Sequence, residues 1–133
     1  MRVLPAILAL LLSANSGMAN EQTDAEVQYL LHFVENSGCT FHRNGSDHNA
    51  PDAADHLRLK YRNGGKYVNN ADQFIDRLAS KSSWSGKKYT VTCEGHTQPS
   101  GEWLHRALDD YRSRQAKTET PQGSPIGTTT LAE

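Results

Sequence analysis

Residues 79–93 read ASKSSWSGKKYTVTC, and this stretch decides the fold. The pattern predicts the end of a helix, then a polar loop rich in serine and lysine, and then a strand. The strand is predicted over Tyr89–Cys93 because apolar residues alternate there with threonine. It carries one of the two cysteines, and the other, Cys39, follows a predicted helix earlier in the chain. A bond between them would tie the two halves of the protein together.

The chain begins with a pattern typical of a secretory signal peptide. Arg2 precedes the apolar run Val3–Leu12, and the small residues Gly17 and Ala19 stand just before the predicted cleavage point. The alternative is a membrane anchor, but a spanning helix needs about 20 apolar residues and this run is far shorter. We therefore expect removal of residues 1–19, a periplasmic location and no membrane span in the remaining chain.

Composition and cysteine number limit the class of protein. The full chain has 14 Lys and Arg against 15 Asp and Glu, and this balance gives no support to a nucleic-acid partner. Two cysteines in an exported chain predict one disulfide, between Cys39 and Cys93. The alternative is a pair of free or metal-bound thiols, although the chain lacks the CxxC spacing of a zinc site.

Helix caps and apolar periodicity predict four helices. The first starts at a capping box, with Thr23 and Glu26 three positions apart, and Gly38 is placed to end it. Asn70 is placed to cap the third. The predicted helices run over about Asp24–Ser37, Pro51–Tyr61, Ala71–Ala79 and Ser100–Arg114.

Only two strands are predicted, Cys39–Arg43 and Tyr89–Cys93, and we expect them to pair because the disulfide would place them side by side. The segments Ser46–Pro51 and Glu94–Pro99 are interpreted as loops. The result is a mostly helical α+β domain over residues 20–114, in the order α-β-α-α-β-α, with a two-stranded antiparallel ribbon and one disulfide. No internal repeat is visible in the sequence. Residues 115–133, rich in Thr, Pro, Gly and Ser, are predicted to be a disordered tail.

Several motifs together resemble a known family. They lie in Tyr29–Gly45, Ala54–Tyr61, Phe74–Cys93 and Trp103–Leu104. The set resembles a family of small exported proteins from Gram-negative bacteria that is described only as a domain of unknown function. The resemblance covers about Glu26–Arg112 and implies secretion, a single domain and paired cysteines. It implies no activity, substrate or cofactor.

Three polar segments form a candidate ligand site if the fold brings them together. They are the serine-rich loop, the residues after the first strand, and one face of the second helix, where two basic residues are four positions apart. Cationic and hydroxyl donors of this kind suit a carboxylate, a phosphorylated ligand or a sugar acid. The alternative is that the serines close a tight loop while the lysines are solvated. The candidate ligand-binding residues are Arg43, Asn44, His56, Lys60, Ser80, Ser82 and Ser83.

Metal binding and catalysis are less well supported. His48, Asp52 and His56 are spaced four apart, as metal ligands can be, but the chain lacks HExxH, so we assign no metal site and no cofactor. Neither GxSxG nor SxxK occurs in a strand-turn-helix setting, so we assign no catalytic residue. Trp84 is interpreted either as part of a binding surface or as a lid over the core.

These observations predict a non-catalytic periplasmic domain that binds a small anionic ligand or another cell-envelope protein. The alternative is a cell-envelope hydrolase that uses the same polar pocket. The sequence leaves open whether the protein is an enzyme.

Overall fold

The computed structural model describes residues 16–119, which form four helices and four strands. Helix α3 begins as an α-helical turn and continues as a π-helical segment, whereas a 3-10 turn, Gly65–Tyr67, follows α2. The helices are α1 (Ser16–Glu35), α2 (Ala50–Gly64), α3 (Ala71–Gln73 with Phe74–Ala79) and α4 (Ser100–Glu119), and the strands are β1 (Thr40–Arg43), β2 (Ser46–His48), β3 (Thr90–Cys93) and β4 (His96–Pro99).

The strands form one antiparallel sheet in the order β2-β1-β3-β4. The pairing of β1 with β3 confirms the prediction, but the two-stranded ribbon is wrong because each predicted strand is half of a hairpin. The missed strands β2 and β4 lie at the sheet edges and carry polar residues, so they lack the apolar alternation that marks a strand. Two-residue turns close both hairpins, and their residues all have positive φ, as type I′ turns require: Asn44, Gly45, Glu94 and Gly95.

The two hairpins are structural repeats of each other. Phe41 pairs with His48 in the first hairpin, and Val91 pairs with Gln98 in the second. Adding 50 to the residue numbers of each pair in the first hairpin gives a pair of the second. A helix follows each hairpin at once, beginning at Ala50 and Ser100. Phe41 also faces Val91 across the central strand pair, which places an approximate two-fold axis there. The sequence shows no repeat because few of the matched positions keep the same residue type.

Helix boundaries agree with the predictions except at α1 and α4. Helix α1 begins at Ser16, so Thr23 lies inside it and donates a hydrogen bond to the Asn69 carbonyl instead of capping the helix. Helix α4 continues to Glu119, so residues 115–119 of the predicted tail are helical. Residues 1–15 of the predicted signal peptide and residues 120–133 lie outside the described part. None of the described helices is long and apolar enough to cross a membrane.

The hydrophobic core lies between the inner face of the sheet and the helices. Phe41 and Val91 supply the centre of the sheet face, and every helix contributes an apolar stripe. Among the most deeply buried side chains are Val27, Leu30, Leu31, Val34, Phe74, Ile75, Leu104 and Leu108. The apolar periodicity that predicted the four helices is confirmed, because the apolar residues spaced three or four positions apart on each helix are buried.

One buried ion-pair network connects three helices. The Arg112 guanidinium of α4 donates two hydrogen bonds to the buried Glu26 carboxylate of α1, with N···O distances of 2.8 and 2.7 Å. It also donates to Asp72 of α3 at 3.0 Å. These bonds satisfy a carboxylate that would be costly to bury alone, and they explain why Glu26 does not form the predicted capping box.

A chain of hydrogen bonds crosses the outer face of the sheet. His42 Nδ1 lies 2.6 Å from Asp47 Oδ1, and His42 Nε2 lies 2.7 Å from Thr92 Oγ1. Thr92 Oγ1 lies 2.6 Å from Thr97 Oγ1. The chain therefore takes one side chain from each of the four strands, which reinforces the register of the sheet on its solvent side.

The disulfide between Cys39 and Cys93 is present, as predicted, and its Cα atoms are 4.6 Å apart. It joins the residue before β1 to the last residue of β3, so it clamps the central strand pair. It also closes a loop of 54 positions.

We expect the double substitution Cys39→Ala/Cys93→Ala to lower the free energy of unfolding by about 4 kcal/mol, because the unfolded chain would regain the entropy of a large open loop. Urea unfolding at neutral pH measures this difference. Reduction of the unsubstituted protein by dithiothreitol is the matched control and should reproduce the loss. A loss below about 1 kcal/mol in both experiments would show that the crosslink does not constrain the fold.

Candidate functional site

An open groove of about 370 Å³ lies between α2, the loop of residues 80–89 and the β1–β2 turn. Its lining includes both polar and apolar side chains. The groove is lined by Arg43, Asn44, His56, Leu59, Lys60, Asn63, Gly64, Leu78, Ser82, Ser83, Trp84 and Tyr89. Six of the seven candidate ligand-binding residues are in this set, so the three polar segments converge.

Ser80 is the candidate residue that does not reach the groove. Its hydroxyl donates to the Ile75 carbonyl at 2.7 Å, across the π-helical end of α3. The same oxygen lies against Gly101, where a β-carbon would collide with it. Ser80 instead lines a separate groove of about 290 Å³, together with Asp76 and Glu102. Its contacts are therefore those of a packing residue.

The serine-rich loop is held in place by its own hydroxyl groups. Ser82 is buried, and its Oγ accepts hydrogen bonds from the backbone N–H groups of Trp84 and Ser85, both at 3.1 Å. The side-chain NH₂ group of Asn44 donates to the Ser82 Oγ at 3.2 Å. The side-chain oxygen of Asn44, Oδ1, accepts from the Ser85 hydroxyl at 2.6 Å. Asn44 thus fixes the loop to the β1–β2 turn, and the Ser82 hydroxyl holds the loop closed. The Ser83 side chain is exposed.

The inner wall of the groove carries three polar side chains that touch one another. Lys60 Nζ donates to Tyr89 Oη at 3.1 Å and to the Lys81 carbonyl oxygen at 3.1 Å. His56 Nε2 lies 3.4 Å from the same Tyr89 hydroxyl. His56 and Lys60 reach this point together because they are one helical turn apart on α2. The Lys60 ammonium also lies 5.0 Å from the centre of the Tyr89 ring.

The groove holds cationic groups without carboxylates. Among the described residues, no Asp or Glu lines it, and neither Arg43 nor Lys60 takes part in an ion pair. Burial and the nearby Arg43 charge lower the pKa of Lys60 to about 8. Burial, Arg43 and Lys60, in that order, lower the pKa of His56 to about 4, and burial raises the pKa of Tyr89. At neutral pH the site is therefore positive through Arg43 and Lys60, with a neutral imidazole.

Trp84 stands at the rim of the groove and is 90% exposed. An indole this exposed does not cover the core, so the lid interpretation is wrong, and a role in a binding surface stays a prediction. Leu59 and Leu78 supply the apolar part of the lining. The groove thus combines two cations with an exposed aromatic face.

A small cavity of about 30 Å³ adjoins the groove and shares Arg43, His56 and Tyr89 with it. Within the described part of the chain, His48 Nε2 and Ser100 Oγ are buried there without a hydrogen-bond partner. The space suits a water molecule, not an organic ligand. The open groove is therefore the candidate site.

The three spaced residues considered as metal ligands do not form a cluster. His48 lies at the end of β2 and faces the small cavity, whereas Asp52 is exposed in the first turn of α2. Across residues 16–119, no group of three or more His, Cys, Asp or Glu side chains is arranged to hold a metal ion.

Sequence reasoning missed Tyr89, which connects His56 to Lys60. The sequence places Tyr89 only at the start of the predicted strand Tyr89–Cys93, and in the structure its side chain is buried. Its hydroxyl contacts His56 and Lys60 of α2, and a tertiary contact of this kind is not visible in local sequence. The one available signal is that a buried tyrosine needs a partner for its hydroxyl.

The fold and the groove define a disulfide-linked α+β domain with a cationic groove in which none of the described lining residues is a carboxylate. The chain belongs to DUF5329, a family of unknown function, whose model matches residues 21–112. It is 38% identical over 90 residues to the "Uncharacterized protein YfeK" of Salmonella typhimurium, a match covering 66% of this chain and 75% of that protein. No solved structure matches the chain.

The depressed pKa of His56 predicts a loss of stability in acid. The folded pKa of about 4 is below the unfolded value of about 6.5. The unfolded state therefore binds more protons between these two values, and stability falls as the pH falls through this window. We expect about 1–2 kcal/mol of the loss between pH 6.5 and 4 to come from His56, less than the full shift because the imidazole is partly exposed.

Urea unfolding at pH 6.5 and pH 4 measures this effect in the unsubstituted protein and in His56→Gln, which should lose less stability on acidification. His32→Gln, at an exposed position of α1, is the matched control and should behave like the unsubstituted protein. Equal acid losses in His56→Gln and the unsubstituted protein would contradict the assignment.

Proposed function

We propose that this protein is an exported periplasmic domain that binds a small anionic ligand in the groove. The observation that carries the proposal is that two cationic residues, Arg43 and Lys60, line the groove, and that no described lining residue is a carboxylate. Like charges placed together in a partly buried site destabilise the fold. A binding site can retain them because a bound anion relieves the repulsion.

The neighbouring groups suit recognition of an oxyanion. The Arg43 guanidinium and Lys60 ammonium are charged donors, and hydrogen bonds to charged groups are stronger than neutral ones. The Tyr89 hydroxyl and neutral His56 imidazole lie within 3.4 Å of each other and add neutral polar groups. This donor set favours a carboxylate, a phosphate ester or a sugar acid.

The rim favours a ligand with an uncharged part beside its anionic group. The exposed Trp84 indole offers a flat apolar face, and Leu59 and Leu78 extend it along the groove. A groove of about 370 Å³ is in the range of small-molecule sites. A ring-bearing acid could then place its anionic group on Arg43 and Lys60 and its ring near Trp84.

Export is supported by two features of the chain. The N-terminal residues have the layout of a signal peptide, and Cys39 forms a disulfide with Cys93. Disulfides persist in oxidising compartments, of which the bacterial periplasm is one.

We do not propose hydrolysis, because no serine among the described lining residues forms a hydrogen bond with a base. A serine nucleophile needs a base within hydrogen-bonding distance. In the described structure, His56 contacts Tyr89, and the Ser82 oxygen accepts hydrogen bonds that close the loop. A second candidate, docking of another cell-envelope protein, is favoured by Trp84, since an exposed tryptophan is typical of binding hot spots.

Calorimetric titration with glucuronate and inorganic phosphate tests the proposal, with neutral glucose as the uncharged comparison. We expect an anion to bind and glucose to bind more weakly. Arg43→Ala and Lys60→Ala should each reduce the affinity about tenfold or more, because each removes a charged hydrogen bond worth about 1.5–3 kcal/mol. Added salt should weaken binding further.

Lys87→Ala is the matched control, since this exposed lysine of the same loop does not line the groove. It should leave the affinity unchanged, and urea unfolding should show all three variants folded. An equal loss of affinity in Lys87→Ala would place binding outside the groove. If none of the anions binds, small-anion binding is wrong and protein docking at Trp84 is the remaining candidate.

A further inference from the structure

We propose that the Lys60 amine is a nucleophile that forms an imine with a small aldehyde or ketone bearing an anionic group, such as a 2-oxo acid. This inference rests on the proposed function, because Arg43 would hold the anionic group while the carbonyl carbon meets Lys60. It assigns to the groove a covalent chemistry that anion binding alone does not require.

The position of Lys60 suits this role. Its amine lies inside a groove open to small molecules, 3.1 Å from the Tyr89 hydroxyl and 3.1 Å from the Lys81 carbonyl oxygen. Across the described residues, no carboxylate forms an ion pair with it. Most lysines stay protonated because water or a carboxylate stabilises the ammonium. Lys60 is instead half-buried and lies near the Arg43 guanidinium.

The charged and titratable groups facing Lys60 come from three elements. Arg43 of β1 opposes the ammonium, His56 of α2 is neutral at pH 7, and Tyr89, the last residue of the loop before β3, is protonated. Burial and Arg43 lower the pKa of Lys60 to about 8. About a tenth of the amine is then neutral at pH 7, against less than a thousandth for an ordinary lysine. Only the neutral form attacks a carbonyl.

The reaction balances without an oxidant or reductant. The nitrogen lone pair of Lys60 forms a bond to the carbonyl carbon, and one proton moves from the nitrogen to the carbonyl oxygen to give a carbinolamine. The oxygen then takes up a second proton and leaves as water as the carbon–oxygen bond breaks, and the resulting iminium nitrogen releases its last proton to form the imine. The Tyr89 hydroxyl is placed to pass protons at the nitrogen, and the neutral His56 imidazole lies 3.4 Å behind it.

The other lysines of the loop provide internal comparisons. Lys81, Lys87 and Lys88 are exposed, and none of them lines the groove. An aldehyde that reacts with lysines indiscriminately would modify these exposed amines at least as fast as Lys60. Selectivity for the less accessible amine would therefore report on its environment.

The test uses the full protein, glyoxylate as the probe and sodium cyanoborohydride to reduce any imine to a stable secondary amine. Peptide mass spectrometry then gives the rate of modification at each lysine. We expect Lys60 to be modified at least tenfold faster than Lys87 or Lys88 at pH 7. We also expect glycolaldehyde, the neutral analogue, to react more slowly at Lys60 than glyoxylate does.

Three variants sharpen the experiment. Lys60→Arg keeps the charge and should abolish the fast modification without raising that of the other lysines. Arg43→Gln should reduce the preference for glyoxylate over glycolaldehyde. Tyr89→Phe keeps the buried ring and should slow modification of Lys60 at least threefold, with circular dichroism reporting that each variant is folded.

Modification of Lys60 no faster than that of Lys87 or Lys88 would overturn the inference, as would equal rates with glyoxylate and glycolaldehyde. Calorimetry with glycolate, an anion that has no carbonyl to attack, separates this inference from the proposed function. If glycolate binds but Lys60 is not modified selectively, the imine inference is overturned and the proposed anion binding is retained. Selective modification without protection by glycolate would overturn the anionic part of the inference and the proposed function together.

Discussion

The antiparallel pairing of β1 with β3, clamped by the Cys39–Cys93 disulfide, is the constraint on which the rest of the structure depends. It joins two hairpin units whose registers match after a shift of 50 positions, and the approximate two-fold axis passes beside Phe41 and Val91. Each unit alone would be a single hairpin with one helix on either side, which is marginal in water. Pairing the units buries one common core and leaves polar β2 and β4 at the edges.

The groove lies where the two units differ. In the first unit four residues, 36–39, connect α1 to β1, whereas ten residues, 80–89, connect α3 to β3. The longer connection forms the serine-rich loop that closes the groove over α2. The positions of the second unit that match His56 and Lys60 are Arg106 and Asp110, so the cationic face occurs on one unit only. Within the described residues, a near-symmetric scaffold thus carries this groove on one side only, where the longer connection lies.

Much of this could be predicted because local patterns and the tertiary fold agree. The core stripes, the Asn70 cap of α3 and the β1–β3 pairing follow from apolar periodicity, a cap residue and the two cysteines. The sequence left open whether the three polar segments meet, and the structure brings them together at the groove. Strand β4 could not be predicted, because it is a polar edge strand and its turn places Glu94, an unusual residue, at positive φ. The Ser80 hydroxyl is positioned by the π-helical end of α3, and the Tyr89 hydroxyl by its contacts with His56 and Lys60 of α2. Neither position could be predicted from local sequence.

The central claim is that Arg43 and Lys60 form an anion site in a groove without carboxylates among its described lining residues. The most direct measurement is a two-dimensional ¹H–¹⁵N spectrum of the labelled protein during titration with glucuronate. The account predicts saturable shifts that cluster at the amides of Arg43, Asn44, Lys60 and the loop of residues 82–89. Shifts centred instead on Asp76 and Glu102 of the neighbouring groove, or no saturable shift at all, would contradict it.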